Sequence, residues 1–176
     1  MSLPNIITLI RILLVPVVIW AIASERTQLA FWLFVVAGIS DALDGLIAKK
    51  FGMQTELGSY LDPLADKALL VSIYVMLAAT SLVPSWIAIA VVTRDVLIVG
   101  AVLLSQVLAR PVAIAPLLVS KANTLAQICF AAFVLASTGF GIEAPQLMEL
   151  GLVAVGLLTG VSAAAYLAEW TRHMAK

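Results

Sequence analysis

The chain has 176 residues, of which 63% are hydrophobic and 11% charged, with ten basic residues against ten acidic ones. A soluble domain runs at roughly 45–50% apolar and about 25% charged, so this composition is that of an integral membrane protein. The zero net charge excludes a general basic surface for nucleic acid, the single His173 excludes a histidine-rich zinc site, and the single Cys129 excludes an internal disulfide.

Apolar runs of spanning length predict six helices, at about 5–23, 30–51, 59–80, 84–108, 117–138 and 146–171. The expected fold is an all-α integral membrane protein, a six-transmembrane-helix bundle forming one domain over residues 1–176. The separators carry turn chemistry: Ser24-Glu25-Arg26-Thr27, Gly52 to Thr55, Ser81 to Pro84, Arg110-Pro111 and Gly139 to Pro145. Such short links make consecutive helices antiparallel neighbours. The apolar N-terminus lacks a basic leader and a cleavage site, so it is not read as a signal peptide.

Lysine and arginine set the orientation. Arg11, Lys49, Lys50, Lys67, Arg110, Lys121, Arg172 and Lys176 fall at or near ends that share one side, against Arg26 on the other. Both termini and the link between the second and third helices are therefore expected in the cytoplasm, which for a bacterial chain means the inner membrane. In the first helix, Asn5 is a candidate cap, and Arg11 lies two turns in, placed either to snorkel or to meet an anion. Arg94-Asp95 is a charged pair about ten residues into the fourth helix. Adjacent helical residues do not face each other, so these two are expected to have different partners. Lys121 opens the fifth helix among Ser120, Asn123 and Thr124. Tyr166 and Trp170 before Arg172 read as an interfacial anchor, and Trp20, Trp32 and Trp86 suit that role at the other face.

The chemistry is concentrated between Asp41 and Lys67, a stretch that holds five of the ten acidic residues, four of them aspartates. Asp41 and Asp44 are three apart and Asp62 and Asp66 four apart, so each pair shares a helix face. On antiparallel neighbours the four carboxylates can converge. Four converging carboxylates in an apolar setting call for cations, and oxygen-only ligands suit Mg²⁺ or Mn²⁺. Gly45, Ala48 and Gly58 let a phosphate or a flat group approach the backbone, although helix packing in membranes uses the same small residues. Two cations on carboxylates form a clamp for phosphoryl transfer. One carboxylate can take a proton from an attacking alcohol, while Arg11, Arg94 and Lys121 are candidates for an acceptor phosphate.

The pattern Asp41-x2-Asp44-Gly45-x2-Ala48-Lys49-x8-Gly58-x3-Asp62-x3-Asp66 resembles the signature of the CDP-alcohol phosphatidyltransferase family. Lys49 stands where the family usually has arginine, which keeps the charge and loses the bidentate fork. Pro4-Asn5-x2-Thr8-x2-Arg11 is similar to the opening of the family's bacterial glycerophospholipid synthases. Arg94-Asp95-Val96 and Ser120-Lys121-x-Asn123-Thr124 are similar to the branch that makes cardiolipin. The resemblance implies six transmembrane helices, a homodimer, and a cytoplasmic-side site with two divalent cations, Mg²⁺ or Mn²⁺. It implies metal ligation by Asp41, Asp44, Asp62 and Asp66, with Asp66 as general base. Asn5, Thr8, Gly45, Lys49 and Thr55 would contact the head of CDP-diacylglycerol, with Ala48 and Gly58 in the same donor site.

The acceptor is argued from charge. The family's glycerol-3-phosphate users often carry Lys-x-Lys-Thr where this chain has Lys121-x-Asn123-Thr124. Glycerol 3-phosphate ends in a phosphomonoester with nearly two negative charges, and phosphatidylglycerol presents a phosphodiester with one. A neutral Asn123 beside Lys121, with Arg11 and Arg94, favours phosphatidylglycerol, with CMP leaving. Glycerol 3-phosphate is the alternative acceptor, and a cation transporter built on intramembrane carboxylates is the non-enzymatic alternative.

Overall fold

The computed structural model describes the backbone of residues 3–51, 56–107 and 118–174, and within them the side chains of 7–41, 65–101, 104–105 and 118–173. Outside the described side chains lie Asn5, Asp44, Gly45, Ala48, Lys49, Thr55, Gly58 and Asp62, as does the Arg110-Pro111 separator.

The described residues form six helices: α1 (Leu3–Ala23), α2 (Thr27–Phe51), α3 (Glu56–Ala79), α4 (Ser85–Val107), α5 (Leu118–Phe140) and α6 (Pro145–Met174). The protein is all-α, of the membrane helical class. Both α5 and α6 are long and apolar enough to cross a membrane, while Ile7–Ala23 and Thr27–Asp41 are shorter apolar stretches. Burial departs from that of a soluble protein. Leu13, Ile89, Leu150 and Leu157 are each more than 60% exposed, whereas Thr8, Arg11, Arg94, Asn123, Gln127 and Ser162 are buried. Apolar side chains can face outward in this way when the solvent is lipid, and intramembrane polar groups then turn inward.

Three connections use one device. After α1, Arg26 N–H donates to Ala21 O at 2.8 Å and Glu25 N–H to Ile22 O at 3.0 Å. After α3, Leu82 N–H donates to Leu77 O at 2.8 Å and Ser81 N–H to Ala78 O at 3.1 Å; after α5, Ile142 N–H donates to Ser137 O at 2.9 Å. The residue at each turn is left-handed: Glu25 (φ 57°), Ser81 (φ 59°) and Gly141 (φ 65°). These bonds satisfy carbonyls that a helix end would otherwise orphan. The tight reversal at Glu25 starts α2 at Thr27, three residues before its predicted start, because no free loop remains between the helices.

The chain divides into two packing units, Met1–Val83 with Ala131–Glu143, and Pro84–Phe130 with Ala144–Lys176. In the first, a Cβ on Gly139 would lie 2.7 Å from Gln28 N, and Phe31, Trp32 and Phe140 pack edge to face with centroids 5.3–6.4 Å apart. In the second, side-chain pairs run in step along α4 and α6: Trp86 meets Gly156, Arg94 meets Ser162 and Trp170 meets Ser105. These two helices are therefore parallel. Along α5 the order reverses, with Asn123 at Thr159 and Phe130 at Gly151, so α5 is antiparallel to α6.

Candidate active site

The first unit brings three of the sequence-predicted residues together. Arg11 is 1% exposed, and its Nη1 lies 2.8 Å from Asp41 Oδ1 and 2.9 Å from Asp66 Oδ1. One guanidinium nitrogen of α1 thus bridges the carboxylates of α2 and α3. Thr8, one turn earlier on α1, is fully buried. The reason is local. An arginine two turns into an apolar helix cannot remain unpaired, and the nearest anions are the acids where α2 and α3 pass. Arg11 therefore points inward to the acids and does not snorkel. Asp41 and Asp66 are 40% and 46% exposed.

Among the described residues no three metal-type side chains gather, and two of the four expected ligands, Asp44 and Asp62, lie outside the described side chains. The donor chemistry fits a hard divalent cation: Asp41 and Asp66 offer only oxygens, and they already converge on a positive charge.

The second unit holds Arg94, Lys121 and Asn123. Arg94 is 3% exposed. Its Nη1 donates to Asp95 Oδ1 at 2.5 Å, its Nε and Nη2 donate to Ser162 Oγ at 3.2 and 2.9 Å, and Nη2 also donates to Ser120 Oγ. Its guanidinium carbon sits 5.8 Å from the Tyr166 ring centroid. Two expectations are corrected here. Arg94 and Asp95 pair with each other, because a long arginine side chain can fold back on its neighbour and no water competes in this interior. Tyr166 is not an interfacial anchor but a buried aromatic face for a buried cation, and Trp170 Nε1 donates to Ser105 Oγ at 3.0 Å. Arg94 ties α4 to α5 and α6 through its own hydrogen bonds. Lys121 is exposed. Asn123 is fully buried, with Thr159 Oγ1 donating to its Oδ1 at 2.9 Å and Gln127 Nε2 donating to Thr159 Oγ1 at 3.2 Å.

Thr159, Ser162 and Gln127 escaped the sequence reading. A signal was present: Ser120, Asn123 and Gln127 are spaced i, i+3, i+7 on α5, and Thr159, Ser162 and Tyr166 repeat that spacing on α6. Two polar stripes inside apolar helices should have been paired with each other. Beside them, α4 and α6 enclose an almost wholly apolar cleft of about 510 Å³, lined among others by Leu97, Leu104, Tyr166 and Trp170.

Comparison with known proteins agrees with the aspartate pattern. The family described as CDP-alcohol phosphatidyltransferase matches residues 1–167. The chain is 30% identical to cardiolipin synthase (CMP-forming) of Rattus norvegicus, over 94% of this chain and 60% of the relative. It is 31% identical to a probable phosphatidylglycerophosphate synthase of Mycobacterium tuberculosis, over 91% of this chain and 78% of the relative. It is 32% identical to CDP-diacylglycerol–glycerol-3-phosphate 3-phosphatidyltransferase of Bacillus subtilis, over 92% of this chain and 91% of the relative. The chain thus spans about 60% of the length of the cardiolipin synthase it matches.

Proposed function

Because the chain belongs to the CDP-alcohol phosphatidyltransferase family, we propose that it transfers the phosphatidyl group of CDP-diacylglycerol to the free hydroxyl of phosphatidylglycerol, making cardiolipin and releasing CMP. The observation that carries the reading is the convergence of Asp41 and Asp66 on Arg11 Nη1. In this reading a new P–O bond forms between the acceptor hydroxyl and the phosphatidyl phosphorus, and the bond to the CMP oxygen breaks. Asp66 takes the hydroxyl proton. Its ion pair with Arg11 fixes the carboxylate's direction. Two divalent cations, Mg²⁺ or Mn²⁺, held by Asp41, Asp44, Asp62 and Asp66, would neutralise the pyrophosphate and the departing CMP. Asn5, Thr8, Gly45, Ala48, Lys49, Thr55 and Gly58 would hold the donor head, and Lys121 and Asn123 the acceptor. The distribution of Lys and Arg supports a cytoplasm-facing site in a bacterial inner membrane, and the family pattern supports a homodimer.

Phosphatidylglycerophosphate synthesis is the second reading. It is favoured by the relatives of that name in Mycobacterium tuberculosis and Bacillus subtilis, whose length this chain covers to 78% and 91%. Against it stands the neutral, buried Asn123, which adds no charge for a phosphomonoester.

The test is one assay on purified protein in lipid micelles. CDP-diacylglycerol is supplied with Mg²⁺ or Mn²⁺ and either phosphatidylglycerol or glycerol 3-phosphate, and CMP and lipid product are followed. Turnover is expected with phosphatidylglycerol, abolished by a chelator and lowered at least about 100-fold in Asp66→Asn. Turnover with glycerol 3-phosphate alone overturns the acceptor while keeping the reaction class. Cation uptake by vesicles without CMP release overturns both.

A further inference from the structure

Arg11 supplies a positive charge to two acids that the proposed reaction needs for a different cation. Its Nη1 lies 2.8 Å from Asp41 Oδ1 and 2.9 Å from Asp66 Oδ1, and all three residues belong to the first packing unit. The arginine is 1% exposed, whereas the two carboxylates are 40% and 46% exposed. The guanidinium therefore meets the pair from the protein side. A guanidinium is a permanent charge. Taken away from its acids inside an apolar bundle it would be an uncompensated buried ion, which is strongly disfavoured. Arg11 accordingly stays with Asp41 and Asp66 when other groups bind them.

That permanence sets the charge of the cluster. Two carboxylates and one guanidinium leave a single net negative charge. A divalent cation taken up by the same acids is attracted by that one charge instead of two, and it gains a positive neighbour at a range where charges in a protein interact strongly. The loaded cluster would then carry one net positive charge, which calls for an anion. In the proposed reaction the anion at hand is the pyrophosphate of CDP-diacylglycerol.

We propose that Arg11 is a built-in counter-charge that weakens the hold of Asp41 and Asp66 on a divalent cation, so that the cation is bound firmly only together with the donor's pyrophosphate. The proposal rests on the phosphatidyl-transfer reading. Arg11 acts through the two aspartates and is a positioning residue.

The experiment titrates the full chain in detergent micelles with Mn²⁺ and follows the free ion by electron paramagnetic resonance, with and without CDP-diacylglycerol. Wild type, Arg11→Met and Arg11→Lys are compared, thermal unfolding is recorded for each, and Mn²⁺ that Asp41→Asn still binds is subtracted as binding elsewhere. Without donor, Arg11→Met is expected to bind Mn²⁺ at least about tenfold more tightly than wild type, and Arg11→Lys, which keeps the charge, within about threefold of it. Donor is expected to tighten Mn²⁺ binding about tenfold in wild type and less than about threefold in Arg11→Met. An arginine that merely organised the acids would give the opposite sign, with weaker binding in Arg11→Met. Unchanged or weaker binding in that variant, a lysine variant as tight as the methionine variant, or an equal donor effect in wild type and Arg11→Met each overturns the proposal. If Arg11→Met does not fold, Arg11→Gln, which removes the charge and keeps an N–H donor, is judged by the same outcomes. Wild type also decides by itself, because a Mn²⁺ affinity that donor leaves unchanged overturns the proposal. Turnover is followed in the same samples. Tighter Mn²⁺ binding in Arg11→Met without CMP release from wild type keeps the counter-charge and overturns phosphatidyl transfer. CMP release with Mn²⁺ affinities that ignore Arg11 does the reverse.

Discussion

Arg11 shows how one side chain joins the fold to the chemistry. It is buried in α1, yet its partners Asp41 and Asp66 are 40% and 46% exposed. Removing the charge therefore need not unfold the protein, because water can take over part of the solvation of both carboxylates. What is lost is the fixed separation and direction of two acids on different helices. Arg11→Met is expected to lower kcat/KM by about 100-fold, a loss typical of removing a preorganised polar group, with thermal unfolding shifted only slightly. Arg11→Lys keeps the charge but offers a point donor in place of a planar fork. Its activity is expected between wild type and Arg11→Met. Equal activity in all three proteins would show that the bridge is incidental to turnover.

The helices are tuned mainly at their ends and contact points. Ser81 sits at φ 59°, a conformation that costs an L-residue roughly 1–2 kcal/mol and glycine much less. Part of that gain is lost to glycine's greater freedom when unfolded. Ser81→Gly is thus expected to stabilise by about 0.5–1 kcal/mol, read as a rise in the thermal midpoint in detergent. Gly139 makes the opposite case. A Cβ there would lie 2.7 and 2.8 Å from Gln28 N and Cα, and backbone of a packed helix cannot step aside as a side-chain tip can. Gly139→Ala is expected to destabilise by about 1–3 kcal/mol through overpacking. Gly38→Ala, where a Cβ meets nothing within 4 Å, serves as the neutral comparison.

At the scale of the whole molecule the outward face governs behaviour. Leu13, Ile89, Leu150 and Leu157 are exposed by more than 60%, while Thr8, Arg94, Asn123 and Gln127 are turned inward. Apolar exposure on this scale is not sustained in water. The protein is expected to stay in the membrane pellet through alkaline carbonate extraction and to require detergent for release; recovery in the carbonate supernatant would contradict the reading. Both polar clusters, Arg11 with two aspartates and Arg94 with its serines, are assembled from three helices. Each is therefore held by tertiary packing and not by any single segment.

Composition alone determined the solvent, because a chain with 63% hydrophobic and 11% charged residues has no polar exterior to offer water. The length of the apolar runs determined the six helices within a few residues, since spanning runs and turn residues are local signals. Asp41, Asp44, Asp62 and Asp66 stood out because acids at helical spacing among apolar neighbours are rare for energetic reasons. Partnerships were beyond that reach. That Arg11 would bridge Asp41 and Asp66, that Arg94 would pair with Asp95 and two serines, and that Thr159 would donate to Asn123 all depend on residues up to 68 positions apart along the chain. A buried polar atom takes whichever partner the packed helices bring within about 3 Å. That choice is made in three dimensions, after the local signals have been spent.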